Sequence, residues 1–226
     1  MLLIHPSSLG ATVDAVNEAL FFSRAITESQ RQEAARWIAG RHGLPRAYAN
    51  MFAPTEHDFG EGVRVFTGER LPTRAGTAHI LGEEACRALI LLNVPGTRDI
   101  VKMASAQMIE RVADVERRGY PAGIYCCRKC SVAFWRHLAV GGLADAERRL
   151  AAGIEILRSQ RADSGRWNTF PFHYTVLALA DIDLPAATAE LRYAAPALER
   201  VLKTRPKADR YDRRRRSLAQ RVLAHL

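Results

Sequence analysis

The sequence predicts an all-α protein built of stacked helical hairpins, arranged as an open solenoid or a partly closed ring. Three observations carry this. Apolar residues recur at spacings of three and four along most of the chain. From residue 98 onward nothing alternates as a long strand between turn signals. The second half of the chain also aligns with itself at an offset of 42 residues. With 226 residues, 48% hydrophobic and 25% charged, the composition excludes a wholly disordered chain.

Taken in order, Thr12 can cap a first helix running to about Ala25, with Val13, Val16 and Leu20 on one face. Thr27 and Gln30 have capping-box spacing, so a second helix carries Ala34, Trp37 and Ile38 until Gly43 and Pro45 end it. Residues 53–76 read as an irregular insertion, because Pro54, Gly60, Gly62, Gly68, Pro72 and Gly76 break any helix. Within it Val63–Thr67 is either a short hairpin strand or an extended loop. Such a long loop is either functional or a simple surface excursion. Helices resume over residues 77–93, 98–118, 128–140, 143–161, 171–181 and 184–203, the last with Asp183 as cap before Pro185.

The charge divides the chain into a helical-repeat domain, residues 1–203, and a basic C-terminal tail, residues 204–226. From Arg200 onward, ten Lys or Arg face only Asp209 and Asp212, a net +8 of the total +9. The body is therefore nearly neutral and has no sign of a nucleic-acid-binding face. The run Arg213-Arg214-Arg215-Arg216 reads either as a non-specific polyanion contact or as a solvated, partly disordered end. Leu218, Val222 and Leu226 repeat at four and suggest a short helix there. No segment reaches the roughly 18 uncharged apolar residues of a membrane span, and the opening Met1–Pro6 is too short for a secretory signal, so a cytoplasmic location is expected.

The repeat places Gly123-Ile124-Tyr125 on Gly165-Arg166-Trp167. Val101, Met108 and Val115 correspond to Leu143, Leu150 and Leu157, and again to Leu184, Leu191 and Leu198. A two-helix unit of this length cannot bury its own apolar face, so copies must stack. Gly165 permits the positive φ that reverses the chain, and Trp167 can lie across the joint between hairpins, a structural role.

Leu157, Gln160, Asp163, Gly165 and Trp167 together form a helix end followed by an Asp-x-Gly-x-Trp turn. This resembles the repeat of the α/α toroids, the group of the protein prenyltransferase β subunits and the squalene and terpene cyclases. The resemblance covers roughly 80 residues and implies a partial α/α toroid, with an enzyme acting on a prenyl or other apolar substrate, with or without zinc, as one functional expectation. The catalytic motifs of that group are missing. There is no Asp-x-Asp-Asp, no Asp-Asp-x-x-Asp, and no cysteine two positions after an aspartate. The chain also holds fewer hairpins than such a ring closes with.

Four cysteines, Cys86, Cys126, Cys127 and Cys130, are too few and too clustered for a secreted disulfide framework, and reduced thiols are expected. Cys127 and Cys130 form a Cys-x-x-Cys at the head of a helix beside Arg128 and Lys129, an environment that favours thiolates. Three readings stay open for them: a zinc site, a redox pair, or tolerated thiols. Only His137, His173 and Cys86 look available to complete a zinc site, none at the spacing of a second knuckle. On one helix with Cys86, His79 and Glu83 stand four apart near Glu84, and read as an exposed surface pair, with a metal or general-base role as the alternative. If the hairpins stack regularly, the two aligned turns share a rim, and Tyr125, Cys130, Trp167, Phe172, His173 and Tyr174 become a candidate ligand site there, or else fill the joint between repeats. The function expected from these residues is a non-catalytic binding or scaffold module for a small apolar ligand or a protein segment. The toroid-type enzyme and a nucleic-acid-associated helical protein stand as alternatives.

Overall fold

A computed structural model gives residues 2–71, 73–141 and 143–226; Met1, Gly142 and Pro72, one of the expected helix breakers, lie outside the described residues. Helix accounts for 65% of the chain, in ten α-helices among the described residues. The first, α1 (Leu9–Phe21), is capped by Ser8 rather than Thr12, and it ends earlier than the sequence suggested. Thr12 lies inside that helix, fully buried, with its hydroxyl donating to the Ser8 carbonyl at 2.9 Å. In α2 (Glu28–Ala39) the Thr27–Gln30 capping box forms as its spacing predicts.

The irregular segment holds a helix that the sequence reading did not contain, α3 (Glu56–Glu61), capped by Thr55. Its purpose is visible in Asp58, which is 2% exposed and accepts from Ser8 Oγ, Leu9 N and Gly10 N. A carboxylate thus satisfies backbone donors at the start of α1, where the helix dipole also favours it. Beyond it the Val63–Thr67 piece turns back on itself, with Leu71 N bonded to the Val63 carbonyl and Val65 N to that of Glu69.

The remaining helices are α4 (Arg74–Leu92), α5 (Arg98–Arg117), α6 (Arg128–Ala139), α7 (Ala146–Arg158), α8 (Phe172–Ala180), α9 (Pro185–Lys203) and α10 (Arg210–Ala224). A two-residue ladder, β1 (Arg161–Ala162) with β2 (Arg166–Trp167), is the one regular sheet among the described residues. Asp183 does not cap α9: Leu184 holds the cap position in an extended conformation without a side-chain bond, and Pro185 starts the helix by its fixed φ. Packing alternates along the chain. Each of α4, α6 and α8 packs on the helix that follows it; α4, α6 and α8 also touch in sequence, and α7 touches α9. The aligned seam residues Met108, Val115, Leu143, Leu150, Leu157, Leu191 and Leu198 are all buried, with Val101 and Leu184 half-buried.

The two aligned turns do the same physical work. Gly123 and Gly165 both take positive φ, 80° and 73°. Each also passes close to the next helix, Gly123 against Arg149 and Gly153 of α7, and Gly165 against Tyr193 and Ala197 of α9.

The C-terminal basic run is not a solvated tail. Helix α10 begins at its Asp209 cap and packs along α9 and α8, with Leu218 and Val222 buried. Arg214 is fully buried and pairs with Asp14 and Glu18 of α1. Arg215 donates to the Thr67 carbonyl, and Arg216 donates to the carbonyls of Val201, Leu202 and Thr204 at the end of α9. Arg213 bonds Glu18 at 2.8 Å while staying 55% exposed. The acids of α1 supply partners that no local reading of an arginine run reveals.

Candidate metal centre

Helix α4 packs against α1, α2, α3, α5 and α6. Its sequence is rich in Ala, Gly and Leu, so neighbours approach from nearly every side and its polar residues become interior ones. This overturns the expected exposed pair of His79 and Glu83: Glu83 is fully buried and Glu84 is 5% exposed. One turn before Glu83, the half-buried His79 faces the cysteine turn that leads into α6.

At that junction His79, Cys126 and Cys130 present one donor atom each, all within 4.8 Å of one another. His79 Nδ1 lies 3.6 Å from Cys130 Sγ. A tetrahedral zinc with bonds of about 2.0–2.3 Å places its nitrogen and sulfur donors about 3.6 Å apart, so this pair already has the required spacing. Tyr48, from the 3-10 turn Tyr48–Asn50, lies over the His79 ring with centroids 3.6 Å apart, and Arg111 of α5 donates to its hydroxyl at 2.9 Å. The expected ligand pair was Cys127 with Cys130. Cys130 is in the converging set, whereas Cys127 is outside it, its sulfur 3.2 Å from that of Cys130. Residue spacing did not join His79 or Cys126 to Cys130 as donors, and His79 is 51 positions from Cys130.

The local electrostatics prepare these groups. Burial, reinforced by the Arg111 charge, lowers the His79 pKa to about 4, so its ring is neutral near pH 7 and its lone pair is available. Cys127 is the N-cap of α6. A hydrogen bond from Cys130, then the backbone N–H groups of Cys130 and Lys129 and the Lys129 charge, outweigh its partial burial and lower it to about 5. Cys130 shifts upward, through its bond to Cys127 and its burial. All four cysteines are free thiols.

Behind this centre lies a buried ionic network. Glu84 accepts from Arg136 of α6, from Tyr174 Oη of α8 at 2.5 Å and from Asn17 of α1 at 3.1 Å. Asp181, just after α8, receives Arg87 at 3.0 Å and Arg136 at 3.1 Å. Burial opposes a charge on Glu84, but Arg136, Arg87 and the bond from Tyr174 outweigh it and hold the carboxyl below its ordinary range. Next to it, His137 Nδ1 and Glu83 Oε2 are 2.6 Å apart and both fully buried. Burial raises the Glu83 pKa. Burial opposes a charged His137 ring, yet Cys86 and Glu83 outweigh it and raise it to about 10, so the pair retains a proton in the neutral range. The sequence signal for this network was available: Glu83, Glu84, Arg87, Arg136 and His137 are charged or ionisable residues inside otherwise apolar helices.

The six residues expected on one rim fall into separate environments. Tyr125 and Cys130 lie beside His79. Tyr174 belongs to the Glu84 network. Trp167 packs on Phe172 and Tyr193 and donates to Glu190 at 2.8 Å. His173 is lowered to about 3 by burial, then by Arg215 of α10 and Arg166. A cavity of about 350 Å³ with a mainly apolar lining opens elsewhere, among α8, α9 and α10, where Phe21, Leu177, Leu191, Leu218 and Val222 meet Asp181 and Arg221. No helix among the described residues is long and apolar enough to cross a membrane.

Fold and site together define an all-α protein with a thiol–imidazole cluster at the junction of α4 and α6. No protein-family model matches the chain, and no curated protein or solved structure matches it either.

Proposed function

We propose that the protein is a helical binding module organised around a zinc centre held by His79, Cys126 and Cys130, and not itself a catalyst. The observation that carries this reading is the convergence of two sulfurs and one imidazole nitrogen from separate helical units onto one point. Thiolate with imidazole is the donor set that selects zinc over the hard cations. A small apolar ligand is the partner the rest of the molecule favours, since the cavity among α8, α9 and α10 has apolar walls.

A second reading has a specific support. Three protein donors leave one coordination position open, which is the arrangement of catalytic rather than structural zinc. A toroid-type enzyme acting on a prenyl or other apolar substrate remains the alternative on that ground. A nucleic-acid role has less to rest on, because Arg214, Arg215 and Arg216 are engaged within the protein.

Metal analysis of the reduced, purified chain after zinc titration tests the proposal. About one zinc per chain is expected, lost in His79→Ala and in Cys130→Ser. Zinc should be retained in His173→Ala, which lies in another environment. A parent chain that takes up no zinc, or a His79→Ala variant that binds it as well as the parent, overturns the assignment.

A further inference from the structure

We propose that Cys127 is a peroxide-oxidisable gate on the metal centre: it forms a disulfide with Cys130 and so removes that sulfur from the ion. This rests on the zinc reading above and assigns it a means of regulation.

Three observations point to the pair. The Cys127 and Cys130 sulfurs are 3.2 Å apart, about half an ångström closer than two thiolates bound to one tetrahedral zinc and within a side-chain rotation of the roughly 2.05 Å disulfide bond. Cys127 is exposed whereas Cys130 is 1% exposed, so a small oxidant reaches Cys127 first and Cys130 follows as the internal partner. Cys130 also lies 3.6 Å from His79 Nδ1. One sulfur thus stands between two mutually exclusive partners, the ion on one side and Cys127 on the other.

The remaining cysteines fit other places. Cys126 belongs to the converging donor set without being in the Cys-x-x-Cys spacing. Cys86 is fully buried, with Ser105 Oγ 3.9 Å from its sulfur.

The chemistry balances with hydrogen peroxide as the oxidant. The Cys127 thiolate attacks one peroxide oxygen, and the O–O bond breaks. This leaves a sulfenic acid on Cys127 and a hydroxide that leaves as water once protonated. The Cys130 thiolate then attacks the Cys127 sulfur, its bond to the ion and the S–O bond both break, and the hydroxide departs as a second water with a proton from solvent. Two thiolates are oxidised to one disulfide, and one peroxide with two protons from solvent is reduced to two waters. The Cys130 sulfur has then lost the charge that binds a metal, and His79 with Cys126 are too few donors to hold zinc.

The experiment begins with zinc uptake by the reduced full-length chain. Failure at that step sinks the metal centre itself. The loaded protein is then titrated with hydrogen peroxide in the presence of a chromophoric zinc indicator, and the disulfide is located by alkylation and peptide mass mapping. The expected result is one zinc released for each Cys127–Cys130 disulfide, with uptake restored by a dithiol reductant. Cys127→Ser should still bind zinc and release it at least about tenfold more slowly at the same peroxide dose. Cys126→Ser should still form the same disulfide, whatever its zinc affinity. Zinc that stays bound while the disulfide forms, a disulfide in another pair, or release unaffected by Cys127→Ser overturns the gate and leaves the metal centre standing.

Discussion

Gly123 runs directly against Gly153, so that a β-carbon on Gly123 would lie 2.7 Å from the Gly153 nitrogen and closer still to the Arg149 carbonyl. Backbone atoms of a packed helix do not give way as a flexible side chain does. Gly123→Ala therefore combines left-handed strain of about 1–2 kcal/mol with overpacking of about 1–3 kcal/mol. At Gly165 the nearest atom to an added β-carbon is the Tyr193 carbonyl oxygen at 3.3 Å, a tight contact that a shift of a few tenths of an ångström relieves, so the strain dominates. Denaturant unfolding should show a loss of about 3 kcal/mol for Gly123→Ala and about 1 kcal/mol for Gly165→Ala. Equal losses would mean that the two turns are not distinguished by close approach.

Removing one member of the Glu84 network strands the others in the interior. Glu84→Gln leaves Arg136 short of a countercharge and should cost about 3–5 kcal/mol. Tyr174→Phe removes a single hydrogen bond to the same carboxylate and should cost about 1–2 kcal/mol. Because both act on one oxygen, the double variant should lose clearly less than the sum, as a double-mutant cycle in urea would show. Strict additivity would argue that Tyr174 does not bond Glu84.

Neighbouring arginines on α10 should behave very differently. The Arg214 side chain is 0% exposed, and its partners Asp14 and Glu18 are each 15% exposed, so Arg214→Met should cost about 2–3 kcal/mol by leaving the two acids only the exposed Arg210, Arg213 and Arg24 as partners. Arg213 is 55% exposed, and Arg213→Ala should stay within about 0.5 kcal/mol. The two unfolding midpoints check this, and similar values for both would contradict the docking of α10 on α1.

The same contact sets an acid limit. Burial opposes the Glu18 charge, but Arg214, followed by Arg24 and Arg213, outweighs it and holds the carboxyl below its ordinary 4.5. A depressed carboxylate contributes stability that is present above the unfolded value and lost as pH falls through the folded one. The stability gap between the parent and Arg214→Met should accordingly be full at pH 6 and shrink at pH 3. A gap that stays constant between those values would show that Glu18 is not the linked group.

How much of this was legible beforehand varies residue by residue. The capping box at Thr27, the positive-φ turns at Gly123 and Gly165, and the head-of-helix position of Cys127 rest on interactions within a few residues, and the chain itself announces them. Thr12 was misread as a cap because Ser8 does that work with help from Asp58, 50 positions away.

From composition, periodicity and turn chemistry alone, the sequence determined an all-helical chain with free thiols clustered before one helix. Only the tertiary structure decided which groups meet. It turned Glu83 and Glu84 inward, brought His79 to Cys130, and drew Arg214 out of water onto Asp14 and Glu18. The physical reason is that a charge or a ligand atom is defined by its neighbours, and in this chain those neighbours come from helices 50 to 200 residues away, which no local pattern encodes.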